Sequence, residues 1–359
     1  MNARRIVALS RERSVLDDAR RFSLIRHAFT LAAVPGDLAA TTRAGLLWFW
    51  PRLHNGGKIL LDDYRWPQCQ GVTRELDAFL AGRGDAKVLA APQYQAIIQK
   101  ESCMRVICVH VTSTPNVGDR CASPKLYLPW LADAEERDIF GLRRADVDGA
   151  FVILGGGGLL QADFCRSEVA LLARLAAARR IRLVVWGAGV NAVGKRSIDH
   201  DALRRQLFGA ALIGLRDWGT TCRWVPGVSC LHTAFDAPPP PDCETVVYEH
   251  FEHPLGLGLP TATNAEFRSV ADAAAFLARG RTVLTNTYHG AYWATLLGRP
   301  VAVCEPFASR FHHMRHKPVF TSRCHRETPT KAYPNALADC RFANERFALS
   351  VRKAVEAAQ

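Results

Sequence analysis

Residues 282–303 read TVLTNTYHGAYWATLLGRPVAV, and this stretch decides the fold. Thr282–Leu284 is a short apolar run typical of a buried strand, and the five residues after it are polar. Residues 290–297 carry a helical pattern, and Pro300–Val303 returns to a continuous apolar run. A strand, a helix and a second strand in this order predict a βαβ unit within a parallel sheet.

The same alternation continues on both sides of this stretch. Further predicted strands are apolar throughout, as in parallel sheets covered on both faces; they are Met104–Val111, Ala150–Leu154, Arg182–Trp186, Ala211–Leu215 and Thr245–Glu249. Helical patterns lie at residues 164–179, 199–209, 268–279 and 343–357. The proline run Pro238–Pro241 predicts a linker. We therefore expect an α/β fold with two Rossmann-like halves, 104–237 and 242–359, in a GT-B-like arrangement, with the last helix crossing back onto the first half.

The first hundred residues have a different pattern. Thr41–Leu53 predicts a helix, Asn55–Gly57 a turn and Lys58–Leu61 a buried strand. Residues 72–83 predict another helix, and residues 84–104 a pair of strands. We assign residues 1–103 to an extra N-terminal α/β segment.

Composition limits the classes of function. The 359 residues include 46 Lys and Arg against 34 Asp and Glu, a net charge of +12, which favours anionic partners. No zinc-finger spacing and no RNA-binding sheet motif is present, so we do not expect nucleic-acid binding. The eleven cysteines include Cys108 and Cys304 within apolar runs, which predicts buried reduced thiols and a reducing compartment. No signal peptide or 18-residue apolar run is found, so we expect a cytoplasmic protein that can also rest on the inner membrane face.

Polar and glycine-rich clusters follow each predicted strand. Ligands of open α/β sheets bind beyond the carboxyl ends of the strands, so these clusters predict one active-site cleft. We assign substrate binding to a set of residues in these clusters, namely Asn116, Gly156, Gly157, Asn191, Arg216, Glu249 and Asn286. Asp119, just past the first of these strands, is a candidate catalytic residue in contact with a sugar hydroxyl, and a simple turn residue is the alternative. For Arg216 and Asp217 we expect an anion contact and a helix cap, or else a surface ion pair.

Two clusters have a specific expected role. The run Gly155–Gly158 lies before a predicted helix, so its backbone N–H groups could hold an anion there, or it could be only a tight turn. His289 opens a predicted helix, where the positive end of the helix dipole favours the neutral imidazole. We expect His289 to act as a general acid–base, with a helix cap as the alternative.

Residues 309–326, SRFHHMRHKPVFTSRCHR, are basic and contain no acidic residue. A loop of this kind is suited to a phosphate and a carboxylate, and Arg310 and Lys317 are the expected contacts. His312, His313 and His316 lack a carboxylate or cysteine to complete a set of metal ligands, so we expect no metal there.

The ordered motifs resemble the polysaccharide pyruvyl transferase family over about residues 105–320. They are TSTPNVGDRCASP (112–124), FVILGGGGLLQ (151–161), VVWGAGVN (184–191), GLRDWGT (214–220) and VLTNTYHGAYWATLLGRPVAV (283–303). The resemblance implies a GT-B-like fold and transfer of an enolpyruvyl unit from phosphoenolpyruvate to a sugar or lipid-linked oligosaccharide, with no cofactor. It also implies that His289 is the catalytic acid–base and that Arg216, Arg310 and Lys317 hold the donor. A glycosyltransferase using a nucleotide sugar, or a family member without activity, remains an alternative.

Residues 36–100 resemble the C-terminal part of a macrocin-type O-methyltransferase. The matching pieces are GDLAATTRAGLLWFWPRL (36–53), NGGKILLDDY (55–64) and WPQCQGVTRELDAFL (66–80). The resemblance implies a metal-binding role for Asp62 and Asp63. Residues 1–35 lack the glycine-rich turn that would hold S-adenosylmethionine, so we expect a structural remnant here.

Overall fold

The protein is described by a computed structural model that divides into two compact units, residues 1–103 and 104–358. The structure describes residues 6–8, 29–34, 38–81, 83–90, 93–100 and 104–358. Most of residues 1–35 lie outside the described residues, so the expected lack of a cofactor-binding turn there is not addressed by the structure.

The first unit contains one mixed five-stranded sheet. Its strands are β1 (Ile6–Ala8), β2 (Phe29–Val34), β3 (Leu53–Leu61), β4 (Ala86–Ala90) and β5 (Ala96–Lys100), in the order β1-β2-β3-β5-β4. Its helices are α1 (Ala39–Phe49) and α2 (Gln70–Leu80). The first three strands are parallel, and β5 is antiparallel to both β3 and β4.

The turn predicted at Asn55–Gly57 is wrong, because these residues belong to β3. Phe29 and Leu31, two steps apart on β2, pair with Leu53 and Lys58, five steps apart on β3. The extra residues form a bulge, and Gly56 takes the left-handed conformation at φ 79°.

The second unit begins with a parallel sheet of seven strands. They are β6 (Val106–His110), β7 (Glu135–Asp138), β8 (Phe151–Leu154), β9 (Gly157–Leu160), β10 (Arg182–Val190), β11 (Leu212–Leu215) and β12 (Arg223–Trp224). The order is β12-β11-β10-β8-β6-β7. The first part of β10 pairs with β8, and its last residues pair with β9, which is off the main path.

A second parallel sheet follows Pro238–Pro241. Its strands are β13 (Cys243–Glu249), β14 (Thr261–Thr263), β15 (Gly280–Thr285), β16 (Val301–Cys304) and β17 (Val319–Thr321), in the order β14-β13-β15-β16-β17. Alternate residues of β13 face two cores: Val246 packs with the helices on one side, and Val247 packs with Leu255, Leu257 and Leu259 on the other.

Helices cover both faces of the first sheet. The helices of this unit are α3 (Val117–Arg120), α4 (Arg144–Val147), α5 (Arg166–Ala177), α6 (His200–Leu207), α7 (Val270–Arg279), α8 (Tyr288–Leu296) and α9 (Ala336–Glu356). Helices α5 and α6 contribute to the core on one face. On the other face, Phe347 and Val351 of α9 pack against Phe151 and Trp186.

The expected α/β fold with several parallel sheets is confirmed, as is the crossing of the last helix onto the first sheet. Helix α9 begins at Ala336, however, seven residues before the predicted start at residue 343. The helix expected after Arg216 is absent, because a turn follows at residues 218 and 219. Asp217 therefore caps no helix and instead accepts a hydrogen bond from Val190 N at 2.8 Å.

The cysteines differ in part from the expectation. Cys304 forms a disulfide with Cys324, so the prediction of a reduced thiol at Cys304 is wrong. Strand β17 pairs with β16 and places Thr321 opposite Cys304, so the segment after β17 brings Cys324 to a Cα distance of 5.6 Å, which sequence spacing does not reveal. Cys108 is a buried free thiol, as predicted.

No helix among the described residues is both long and apolar enough to cross a lipid bilayer.

Candidate active site

A narrow cavity lies where loops from the two parallel sheets of the second unit meet. Most of its lining residues follow the carboxyl ends of β6, β11, β13 and β15, and the others come from β9, from the end of β14 and from the loop after β16. The lining residues are Asn116, Asp119, Gly158, Arg216, His250, Asn264, Thr287, Tyr288, His289 and Arg310. The space that a water-sized molecule can occupy is about 20 Å³. That is enough for about one water molecule, so a larger ligand requires the loops to move apart.

His289 is the second residue of α8. Thr287 caps this helix, because its Oγ1 accepts a hydrogen bond from Gly290 N at 2.8 Å. The expected helix-terminal position is therefore confirmed, but the cap is Thr287 and not the imidazole. Burial, with the positive charges of Arg216 and Arg310, lowers the pKa of His289 to about 3. The ring is thus neutral at pH 7 and can accept or donate a proton at its two nitrogens.

Gly118 allows this close packing of His289. A Cβ atom on Gly118 would lie 1.9 Å from His289 Nδ1, which no real contact permits. The glycine of the Asn-x-Gly-Asp motif therefore makes room for the imidazole. Asn116 holds the same short helix by accepting a hydrogen bond from Gly118 N at 3.0 Å.

Asp119 follows Gly118 on the floor of the cavity. Asn116 Nδ2 donates to its Oδ2 at 2.8 Å. Burial raises the pKa of Asp119, and the charges of Arg310 and Arg216 oppose this rise. Gly157 packs beside it, since a Cβ atom there would lie 3.5 Å from Asp119 Oδ1. Asp119 therefore lines the cavity, at the end of a short helix that Asn116 caps.

Arg216 and Arg310 bring two positive charges to the cavity. Arg216 is 3% exposed and lies over the ring of Tyr288, with its Cζ 3.9 Å from the ring centre. Arg310 donates to Asn191 Oδ1 at 3.2 Å, and burial next to Arg216 lowers its pKa to about 10. The Nε atoms of both side chains are buried without a hydrogen-bond partner, and neither forms an ion pair within the described part of the chain.

The glycine run has a different structure from the expected turn. Gly157–Leu160 forms β9, and α5 begins only at Arg166, so these glycines are not at a helix N-terminus. Gly156 N donates to Ala122 O at 3.1 Å and is not available to an anion. Glycine at position 158 instead allows the backbone to pack closely against Asn191, because a Cβ atom there would lie 2.7 Å from Asn191 Cβ.

Four other predicted substrate contacts lie outside the cavity lining. Asn191 lines a separate depression, where its Oδ1 accepts the hydrogen bond from Arg310. Glu249 Oε2 accepts a hydrogen bond from Leu255 N at 2.7 Å. Asn286 accepts from His250 N at 2.8 Å and donates to His253 O at 2.6 Å, so both side chains hold the segment after β13. Lys317 is exposed, with its Nζ 5.9 Å from the centre of the Phe320 ring.

Sequence reasoning missed His250, Asn264 and Tyr288 as residues of the cavity. His250 follows Glu249 directly at the end of β13, so its place at the sheet edge was the available signal. Asn264 gave no such signal, because it follows β14, a strand of three residues that was not predicted.

No protein-family model matches this chain, and no curated protein has a significantly similar sequence. The chemistry of the cavity therefore carries the functional interpretation. The cavity brings together a neutral imidazole, a carboxyl group and two guanidinium groups, which are groups that can bind an anion and transfer a proton.

Proposed function

We propose that this protein transfers a pyruvyl group from phosphoenolpyruvate to a sugar of a cell-surface polysaccharide, forming a cyclic ketal. The observation that carries the proposal is the pair Arg216 and Arg310 beside the neutral His289: both Nε atoms are buried without a hydrogen-bond partner, and neither guanidinium forms an ion pair with a described residue. Buried charges are normally paired, so a bound anion is the expected partner.

The charge of the donor supports this choice. Phosphoenolpyruvate carries about three negative charges near pH 7, because its phosphate has a second pKa near 6. Guanidinium groups bind phosphate and carboxylate oxygens with two parallel hydrogen bonds. Arg216 and Arg310 can each take one of the two anionic groups.

The reaction needs one proton donor and one proton acceptor. The methylene carbon of phosphoenolpyruvate takes a proton, and a sugar hydroxyl oxygen adds to the adjacent carbon and loses its own proton. A second hydroxyl then adds to that carbon and also loses a proton, while the bond to the phosphate oxygen breaks. The phosphate leaves with the electron pair and takes up one of the two protons that the hydroxyls release. We assign the proton transfers to His289, whose ring accepts no hydrogen bond from the described residues, and to Asp119.

The architecture is compatible with a GT-B-like transferase, in which two Rossmann-like halves enclose the reacting groups. We place the sugar in a depression of about 250 Å³ that is lined by Asn191, because this residue also contacts Arg310 of the cavity. The same proposal implies a cytoplasmic location, where phosphoenolpyruvate is formed, with a lipid-linked acceptor at the inner membrane face.

Thermal stabilisation by phosphoenolpyruvate tests the proposal without knowledge of the acceptor. We expect phosphoenolpyruvate to raise the melting temperature of the full chain, and Arg310→Ala to abolish this shift. Lys317→Ala is the matched control, because Lys317 is an exposed cation of the same loop and should leave the shift unchanged. Stabilisation by a nucleotide sugar in place of phosphoenolpyruvate would instead identify a glycosyltransferase and overturn the proposed reaction.

A further inference from the structure

The segment that follows β13 is held by three buried polar side chains. Asn286 bonds to His250 N and His253 O, at 2.8 and 2.6 Å. Asn264 Oδ1 accepts from Phe251 N at 3.0 Å. Glu249 Oε2 accepts from Leu255 N at 2.7 Å. Four hydrogen bonds therefore fix the backbone of residues 250–255, a segment without regular secondary structure over most of its length.

Such a set of buried groups is costly unless it is fully satisfied. Asn264, Asn286 and Glu249 are 1%, 4% and 7% exposed. Burying each polar group costs free energy, which its hydrogen bonds only roughly offset. These hydrogen bonds therefore hold the segment in one conformation more firmly than a solvent-exposed turn requires. This conformation also decides which side chains of the segment lie together.

His250, Glu252 and His253 are brought together by this conformation. Each offers one ligand atom, and these atoms lie within 4.8 Å of one another. His250 Nδ1 is 3.9 Å from Glu252 Oε2. Zinc binds imidazole nitrogen at about 2.0–2.1 Å in tetrahedral geometry, which places neighbouring ligand atoms roughly 3.4 Å apart. A small inward movement of exposed side chains would thus give a set of metal ligands.

We propose that His250, Glu252 and His253 bind a divalent first-row metal ion, for which zinc is well suited, at the edge of the candidate active site. Two imidazoles and one carboxylate leave a fourth position of a tetrahedral zinc ion for water or a ligand oxygen. Because His250 also lines the cavity, the ion lies next to the proposed anion site. Glu249, Asn264 and Asn286 act as positioning residues that hold the backbone of the ligands.

One bond must be given up when the metal binds. Glu252 N donates to His250 Nδ1 at 3.2 Å, and a metal on that nitrogen replaces this long hydrogen bond. The ring packing is compatible with the site, since Phe251 stacks on His250 at 4.9 Å and Phe307 lies 5.6 Å from the ring centre of His253. The rings are therefore ordered by their neighbours before the metal arrives.

Zinc titration of untagged, chelator-treated protein tests the site. With a chromophoric chelator as competitor, we expect one zinc ion to bind per chain. His253→Ala should abolish this binding, and Glu252→Gln should lower its affinity. Both side chains are exposed, so these variants should fold normally. His325→Ala, which removes an exposed histidine elsewhere, is the control and should bind as the unchanged protein does. Asn286→Ala should lower the affinity by about 10- to 100-fold, as expected for a group that orients metal ligands.

Cobalt substitution separates this site from the free cysteines. Cobalt bound to imidazole and carboxylate gives visible absorption bands without the strong near-ultraviolet band of a thiolate ligand. Binding that is unaffected by His253→Ala, or a thiolate band in the cobalt protein, would overturn the proposal. Zinc binding is measured without phosphoenolpyruvate, so the metal site can fail or succeed independently of the proposed pyruvyl transfer.

Discussion

At the scale of single residues, the contact between Gly118 and His289 is the most restrictive feature of the cavity. The imidazole occupies the space where any other residue at position 118 would place its Cβ atom. Two motifs that are about 170 positions apart in the sequence are therefore linked by one close contact. The position of the His289 ring therefore depends on glycine at position 118.

Gly118→Ala should displace the His289 ring and lower turnover by about 100-fold, since a shift of about 1 Å in a catalytic group costs that much. The backbone at Gly118 is not in the left-handed region, so alanine does not strain it. Turnover and phosphoenolpyruvate stabilisation should be measured together, and the stabilisation should persist. Gly84→Ala is the control, because a Cβ atom there meets nothing within 4 Å. Unchanged turnover in Gly118→Ala would show that the position of His289 does not matter.

His289 also predicts how stability depends on pH. Its pKa is about 3 in the folded protein, against about 6.5 when unfolded. Between these values the unfolded chain binds a proton that the folded protein does not, so the free energy of unfolding decreases as pH falls from about 6.5 towards 3. Urea unfolding between pH 7 and pH 4 should show this decrease. The change of the unfolding free energy with pH should be smaller in His289→Gln. Burial also lowers the pKa of His110, so this residue should cause part of the pH dependence that the variant retains.

At the scale of elements, helix α9 depends on one buried amide. Asn344 Oδ1 accepts from Trp186 Nε1 at 2.9 Å, and its Nδ2 donates to Pro226 O at 3.2 Å. Both partners belong to the segment of the first sheet, whereas α9 follows the second sheet along the chain. The amide therefore fixes the place where the last helix crosses back.

Asn344→Leu should lower the free energy of unfolding by about 2–4 kcal/mol, because it leaves the buried indole N–H and a carbonyl without partners. Denaturant unfolding measures this difference. Leu349→Ala, at an exposed position of the same helix, should change stability by less than about 1 kcal/mol. An equally small change in Asn344→Leu would mean that apolar packing alone holds α9.

The parallel strands were predictable because residues such as Val283 and Val301 lie in continuous apolar runs between helical patterns. Short elements were not: Gly157–Leu160 is a strand only because it pairs with the far end of β10. The site shows the same limit. His289, Asp119 and Arg310 lie in segments that follow strands and line the cavity, but Glu249 and Asn286 also end or follow strands and bond to a neighbouring loop. Local sequence does not distinguish a side chain that faces a ligand from one that faces the backbone.

At the scale of the whole molecule, the candidate active site belongs to one of the two units. Every residue that lines the cavity lies in residues 104–358, and that unit has its own cores on both faces of its sheets. The first unit has a separate core around Phe49 and Ile59. Asp62, which the methyltransferase resemblance links to a metal, accepts a hydrogen bond from Gln95 at 2.6 Å. The two units therefore have separate cores, and the remnant role of residues 1–103 stays a prediction.

A chain of residues 104–359 should therefore fold and retain phosphoenolpyruvate stabilisation equal to that of the full chain. Circular dichroism and a cooperative thermal transition would establish that the shorter chain folds, because a domain with its own core unfolds as a unit. The comparison then needs only the size of the shift, with Arg310→Ala in the shorter chain as the negative control. A folded chain that no longer responds to phosphoenolpyruvate, while the full chain does, would show that residues 1–103 complete the site.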